Sequence, residues 1–302
     1  VALSRSTPTI PSLLKTPWLP FLLAFAVVGS GCLWRTQRIE PPQLAARTAT
    51  LEELLTQLER FESLKSMRAT VDIGLSYLND DMNRLTNLKD VRGFILAERP
   101  AKARIQAQYP VTHQKAFDMV SDADEFSVYL VWNKRFIQGP TSLETHSEKR
   151  IENIRPQHIV EPLLIAPPRS DEIAALDNQI RSGTLYHVVV FRKQVGDHEV
   201  ITRKLWFDRT TLELHQLEIY DGQGNIVTVA TYSQWLEENG APYPTSVNIS
   251  RPLDGYRVSI TIRDPGINES LPEDAFTLEP PAGIEIERVG DSEQLDVQAS
   301  AQ

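Results

Sequence analysis

Met67-Arg68-Ala69-Thr70-Val71-Asp72-Ile73-Gly74-Leu75-Ser76-Tyr77 alternates mostly apolar with polar or small residues along its whole length. Period two is the pleat of a β-strand with one face in the core and the other toward water. At about 3.3 Å per residue the stretch runs to roughly 36 Å, long for an ordinary sheet strand. Just before it, Thr50 and Glu53 have capping-box spacing. Leu51, Leu54, Leu55, Leu58, Phe61 and Leu64 then recur at helical spacing, opposite Glu52, Glu59, Arg60 and Glu62. This predicts one amphipathic helix packed on the sheet by its apolar face.

Downstream, strand-like runs fall at 90–98, 102–109, 115–120, 125–132 and 135–138. Their close spacing implies antiparallel neighbours. A second series falls at 184–194, 199–208, 212–220, 226–233, 244–251 and 255–263, punctuated by Asp221-Gly222-Gln223-Gly224-Asn225, Asn239-Gly240 and Asp254-Gly255. A βαβ fold needs a helix after most strands, and those helices are missing. The expectation is a mainly β, α+β chain built as a large, strongly curved sheet or open barrel.

Between the two series, residues 139–182 break the rhythm. They are polar up to Arg155 and then carry Ile159, Val160, Leu163, Leu164 and Ile165 among Pro156, Pro162, Pro167 and Pro168. Ile173, Ala174, Ala175 and Leu176 suggest a further helical turn. So much apolar content in an insertion favours a packed cover, with Ile159, Val160, Leu163 and Leu164 as its inward side chains.

Residues 1–31 carry Arg5 and Lys15, no acid, and the apolar run Trp18–Val28, ending in Gly29-Ser30-Gly31 before Cys32. These are the parts of a secretory signal, and the run is too short for a comfortable membrane span, which takes about 20 residues. Val28-Gly29-Ser30-Gly31-Cys32 resembles a bacterial lipobox, with Gly29 where leucine is usual. It implies that Cys32 becomes a lipidated N-terminus, the only covalent group expected. An uncleaved anchor or a secreted chain with a free thiol are the alternatives. Residues 32–49, with Pro41-Pro42, read as a tether, and acidic, apolar-poor 288–302 as a loose tail. Loss of the two bases in 1–31 would take the formal charge from −9 to −11. That balance argues against a nucleic-acid partner, and membrane attachment would come from the lipid instead.

Catalytic and metal motifs are missing. The six histidines lack zinc-site spacing, the single cysteine removes multi-cysteine sites, and there is no nucleophile elbow or Walker loop. No catalytic residue, metal or cofactor is assigned, and an enzyme is not expected. A long sheet, a helix and an apolar insertion suit a greasy ligand instead. An acyl chain of about 14 methylenes represents on the order of 11 kcal/mol of apolar transfer, so it moves easily only between apolar cavities. The alternative is a non-catalytic structural or interaction module of an envelope assembly, its core filled by its own side chains. A hydrolase would need a serine, a histidine and a carboxylate meeting in one cleft.

Three segments carry a family resemblance. Val91-Arg92-Gly93-Phe94-Ile95-Leu96-Ala97-Glu98-Arg99-Pro100 resembles the glycine-containing strand and Arg-Pro turn of the periplasmic lipoprotein carriers and receptors of the Lol type. Ser121-Asp122 with Phe126 and Tyr129 is similar to their next hairpin. Asp274-Ala275-Phe276-Thr277-Leu278-Glu279-Pro280-Pro281-Ala282-Gly283-Ile284 is similar to their closing strand. The resemblance covers residues 50–287 and implies a half-open antiparallel β-barrel with an N-terminal amphipathic helix and a helical lid at 139–182. Its apolar cavity would accept lipid or the acyl chains of lipoproteins, with Met67, Val71, Ile73, Leu75 and Ile95 among the lining residues. Arg99 matches the arginine that holds the lid through backbone hydrogen bonds. The carriers of this family are soluble, whereas this chain reads as lipidated, which favours a receptor-like or resident role, supplied by a periplasmic carrier. Leu33 after the cysteine, where aspartate would signal inner-membrane retention, favours an outer-membrane lipoprotein facing the periplasm.

Overall fold

In the computed structural model the alternating stretch forms strand β1 (Ser66–Asn79), bonded on one side to β2 (Arg84–Glu98) and on the other to β13 (Tyr256–Ile267). Residues 45–79, 84–109, 111–142 and 153–290 are described. Register shifts at Thr70/Val71 and Ile73/Leu75 bulge β1, which bends a strand and increases its twist. One arm of the sheet continues from β2 through β3 (Lys102–Gln108), β4 (Lys115–Ser121), β5 (Glu125–Leu130) and β6 (Arg135–Pro140). The other continues from β13 through β12 (Ala241–Arg251), β11 (Ile226–Glu238), β10 (Leu214–Tyr220), β9 (His198–Asp208), β8 (Thr184–Val195) and β7 (Glu172–Arg181). A short β14 (Ile286–Arg288) runs parallel to β6. Among the described residues fourteen strands form one sheet that does not close, with β14 and β7 as its two edges.

At about 4.8 Å between strands such a sheet would be over 60 Å wide if flat. Yet Val71, Ile105 and Phe117 of one arm share a single core with Phe191, Leu205 and Leu217 of the other. The sheet is therefore curled, and its concave face is the apolar one.

The helix α1 (Leu51–Glu59) begins as its cap spacing requires: Thr50 accepts from the Glu53 amide at 3.2 Å, and Glu53 accepts from the Thr50 amide at 2.7 Å. Leu54 and Leu58 are buried against the concave face, and a 3-10 turn, Arg60–Ser63, continues the helix and buries Phe61.

Four expectations need correction. Ile173, Ala174, Ala175 and Leu176 are not helical; they lie in β7, where pairing of Ile173 with Arg192 and Leu176 with Val189 overrides local helical preference. The insertion between the arms therefore ends before Glu172, not at 182. The segment expected as a closing strand holds the 3-10 turn Glu273–Phe276, with β14 only after Pro280-Pro281, because prolines have no N–H for a ladder. The ends are shorter too. Arg47 and Ala49 of the expected tether bond to Arg209 and His187, and Val289 of the expected tail bonds to Gln138. Cys32 and the signal segment 1–31 lie outside the described residues.

Candidate functional site

The concave face holds the candidate site. Ile73 and Leu75 of β1, Ile105 of β3, Met119 of β4 and Val258 of β13 surround a wholly apolar hollow, closed over by Ile154 and Ile159, with Trp132 alongside. Its volume is about 20 Å³, the space of roughly one water and far below the about 300–1,000 Å³ of ligand pockets. Of the lining residues read from sequence, Ile73 and Leu75 border this hollow. Met67, Val71 and Ile95 are fully buried in the same core without bordering it. Ile159, Val160, Leu163 and Leu164 are buried in that core as well.

These four belong to a short cover. Pro156 opens α2 (Pro156–Val160) behind an extended Arg155, the position proline tolerates best in a helix. Pro162, Pro167 and Pro168 then prevent continuation, so the carbonyls that follow lack intrahelical donors. Side chains from the sheet and from the turn after β2 supply the donors. The Tyr232 hydroxyl donates to the Pro162 carbonyl at 2.9 Å. Arg99 Nη2 donates to the Ile165 carbonyl at 2.9 Å. Arg203 donates through Nη1 to the Ala166 carbonyl and through Nη2 to the Pro167 carbonyl, each at 2.6 Å.

Arg99 does more than touch the cover. Its Nε donates to the Leu64 carbonyl at 2.8 Å and its Nη2 to the Phe61 carbonyl at 2.9 Å. One guanidinium thus bridges the end of the helical turn after α1 and the cover. Burial lowers its pKa below the usual arginine range, opposed by the charge of Glu62, and three carbonyls occupy its donors.

Arg203 is held differently. It pairs with Glu172 through Nε at 3.2 Å and Nη2 at 2.7 Å, stacks 4.4 Å from the Phe191 ring, and is almost fully buried. Burial works against ionisation of Glu172, yet hydrogen bonds from Arg203, Thr202 and the Arg169 amide hold its carboxyl below the usual range. In the middle of α2, His158 Nδ1 lies 3.0 Å from the Tyr256 hydroxyl and Nε2 lies 3.2 Å from Arg251 Nη2. A guanidinium can only donate, so Nε2 accepts and Nδ1 carries the proton toward Tyr256.

Arg203, Glu172, Tyr232 and Tyr256 were not singled out from sequence. A signal existed for the first: Arg203 shares strand parity with Leu205 and Phe207, both buried in the core. A charge on an apolar parity has to meet a partner. Among the described residues no three His, Cys, Asp or Glu side chains gather as metal ligands, and no helix is long and apolar enough to cross a membrane.

No family model and no curated protein matches this chain. Solved structures align with about three quarters of the chain at low identity. A LolA superfamily protein of Nitrosomonas europaea superposes with a TM-score of 0.46 at 14% identity, covering 76% of this chain and 99% of the other. A DUF1329 family protein of Desulfovibrio piger gives 0.46 at 10% identity, covering 77% and 96%. A domain described as outer membrane lipoprotein-sorting, from Vibrio parahaemolyticus, gives 0.43 at 14% identity, covering 74% and 95%.

Proposed function

We propose that the protein is an envelope lipoprotein, anchored through lipid on Cys32, that binds a lipid or the acyl chains of another lipoprotein against its concave sheet, receiving them from a periplasmic carrier. The observation that carries this reading is the way the apolar face is covered. The cover is no part of the sheet ladder; side-chain donors hold its backbone carbonyls, and such contacts can be exchanged one by one. Lifting it would expose Ile154, Ile159, Val160, Leu163, Leu164 and Ile165, at about 1.5–3 kcal/mol each. An acyl chain of about 14 methylenes offsets a similar amount at about 0.8 kcal/mol per methylene, so replacing cover by ligand is close to neutral. Arg99 is the latch in this reading and Arg203 the fixed root.

A second reading has its own support. With the cover down the hollow is about 20 Å³, which suits a solid body that serves as a structural or interaction module. Two measurements separate the readings: mass spectrometry of lipid co-purified with the native protein, and uptake of a fluorescent fatty acid. Stoichiometric lipid, or saturable uptake impaired by Arg99→Leu, supports binding. Neither lipid nor uptake in either form of the protein would leave the solid module standing.

A further inference from the structure

A larger depression lies outside the covered face, against α1. It measures about 460 Å³, within the range of small-molecule pockets. Its walls are Arg60 and Phe61 after α1, the Thr211–Leu214 turn between β9 and β10, and Trp235, Leu236 and Pro242 of the β11–β12 hairpin. The floor is fixed in place. Trp235 donates its indole N–H to the Leu214 carbonyl at 2.7 Å, and its ring lies 5.0 Å from Phe61 and 5.3 Å from Tyr232. With that N–H engaged, Trp235 presents only apolar ring surface to the cleft. Leu236, 53% exposed, extends the apolar surface to the lip.

The rim carries charge of both signs. Arg60 is already paired with Glu237 at 2.7 Å. Arg47 and Glu213 also line the cleft, and among the described residues neither the Arg47 guanidinium nor the Glu213 carboxylate has a hydrogen-bond or ion-pair partner. One unpaired cation and one unpaired anion beside an aromatic and aliphatic floor complement a molecule with a tail and a head of both charges.

We propose that this cleft binds a single-chain amphiphile with a zwitterionic phosphate–amine head. The tail lies on Trp235, Leu236 and Pro242, the phosphate meets Arg47, and the amine meets Glu213. The site is distinct from the covered sheet and needs no movement of the cover.

Two tryptophans mark the two places: Trp235 in the cleft and Trp132 beside the interior hollow. The full chain labelled with 5-fluorotryptophan is titrated with dodecylphosphocholine below its micelle threshold, with the fluorine resonances assigned by Trp132→Phe and Trp235→Phe. The expected result is a saturable shift of Trp235 with Trp132 unmoved. Leu236→Glu and Arg47→Glu should each weaken binding by about tenfold, as should replacing the probe by dodecanoate or dodecyltrimethylammonium, which carry one charge only. An unchanged resonance of the buried Trp206 in each variant shows that the fold is retained. Trp235 remaining unmoved overturns the proposal, as does equal affinity in Leu236→Glu or for all three probes. Movement of Trp132 alone also overturns it, while leaving the covered-sheet reading intact.

Discussion

Arg99 holds Ile165: Nη2 of the one donates to the carbonyl of the other at 2.9 Å, across 66 positions of sequence. The same nitrogen donates to Phe61 and the neighbouring Nε to Leu64. The contact joins two covering elements that share no backbone hydrogen bond with each other in any described turn or cap. A guanidinium suits this place because its donors are fixed in a planar fork and it stays charged when burial lowers its pKa.

Arg99→Leu removes all three bonds while keeping an apolar stem. The expected cost is about 2–4 kcal/mol of unfolding free energy, since carbonyls are left without donors. Amide exchange should accelerate across 153–165 before it does in β1, and Arg99→Lys should recover only part of the protection. Uniform exchange across cover and sheet in the leucine variant would remove the latch.

Arg203 and Glu172 form a buried pair, so breaking it from one side is worse than removing it whole. Arg203→Met should cost about 3–5 kcal/mol, because Glu172 is left charged and buried. The double variant Arg203→Met, Glu172→Leu should be more stable than the single one, as measured by denaturant unfolding. The pair also sets a pH window. The folded pKa of Glu172 lies below its ordinary value of 4.5, so its contribution is complete above that value and is lost as pH falls through the folded pKa.

His187 titrates in a different range. It accepts from the Ala49 amide at 3.2 Å, lies 2.7 Å from Asn178 Oδ1, and is buried. Burial lowers its pKa below the ordinary 6.5, opposed by the Arg47 carbonyl and assisted by the Arg209 charge. The unfolded chain therefore takes up a proton before the folded one does, and stability falls as pH drops below 6.5 toward the folded pKa. This one group contributes a slope of at most about 1.4 kcal/mol per pH unit. Unfolding curves between about pH 7.5 and 5.5 should converge for the parent and His187→Gln; parallel curves would assign the slope to other groups.

Gly93 has a packing reason to be glycine. A Cβ there would stand 2.5 Å from Ile73 Cδ1 and 2.6 Å from the Gln106 carbonyl. The side chain could turn away, whereas the neighbouring strand could not. Gly93→Ala should lower stability by about 1–3 kcal/mol, the range for overpacking. A thermal midpoint unchanged from the parent would show that β2 and β3 can separate locally.

Residues 67–77, 90–98 and 102–108 were legible in sequence because half-buried antiparallel strands write their burial as period two. The cap of α1 was legible for a similar local reason: Thr50 and Glu53 are close in the chain as well as in space. Ile173–Leu176 was misread, since a four-residue apolar run fits either a helix or a strand until its partner is known. Arg99 was named only through the family resemblance of its Arg-Pro turn, and the residues that supply its acceptors, Phe61, Leu64 and Ile165, were not.

Local pattern alone was enough to find most of the strands, the opening helix, the apolar side of the sheet and the presence of a proline-broken insertion, for each depends on neighbours within a few residues; it missed β7 and β14. Contact across the fold decided the rest: that β1 meets β13, that Arg203 finds Glu172 and two cover carbonyls, and that the covered hollow is narrow while an open cleft beside α1 is wide. Those outcomes follow from how far the sheet curls and which side chains fill it, a sum over residues distant in sequence that no local periodicity encodes.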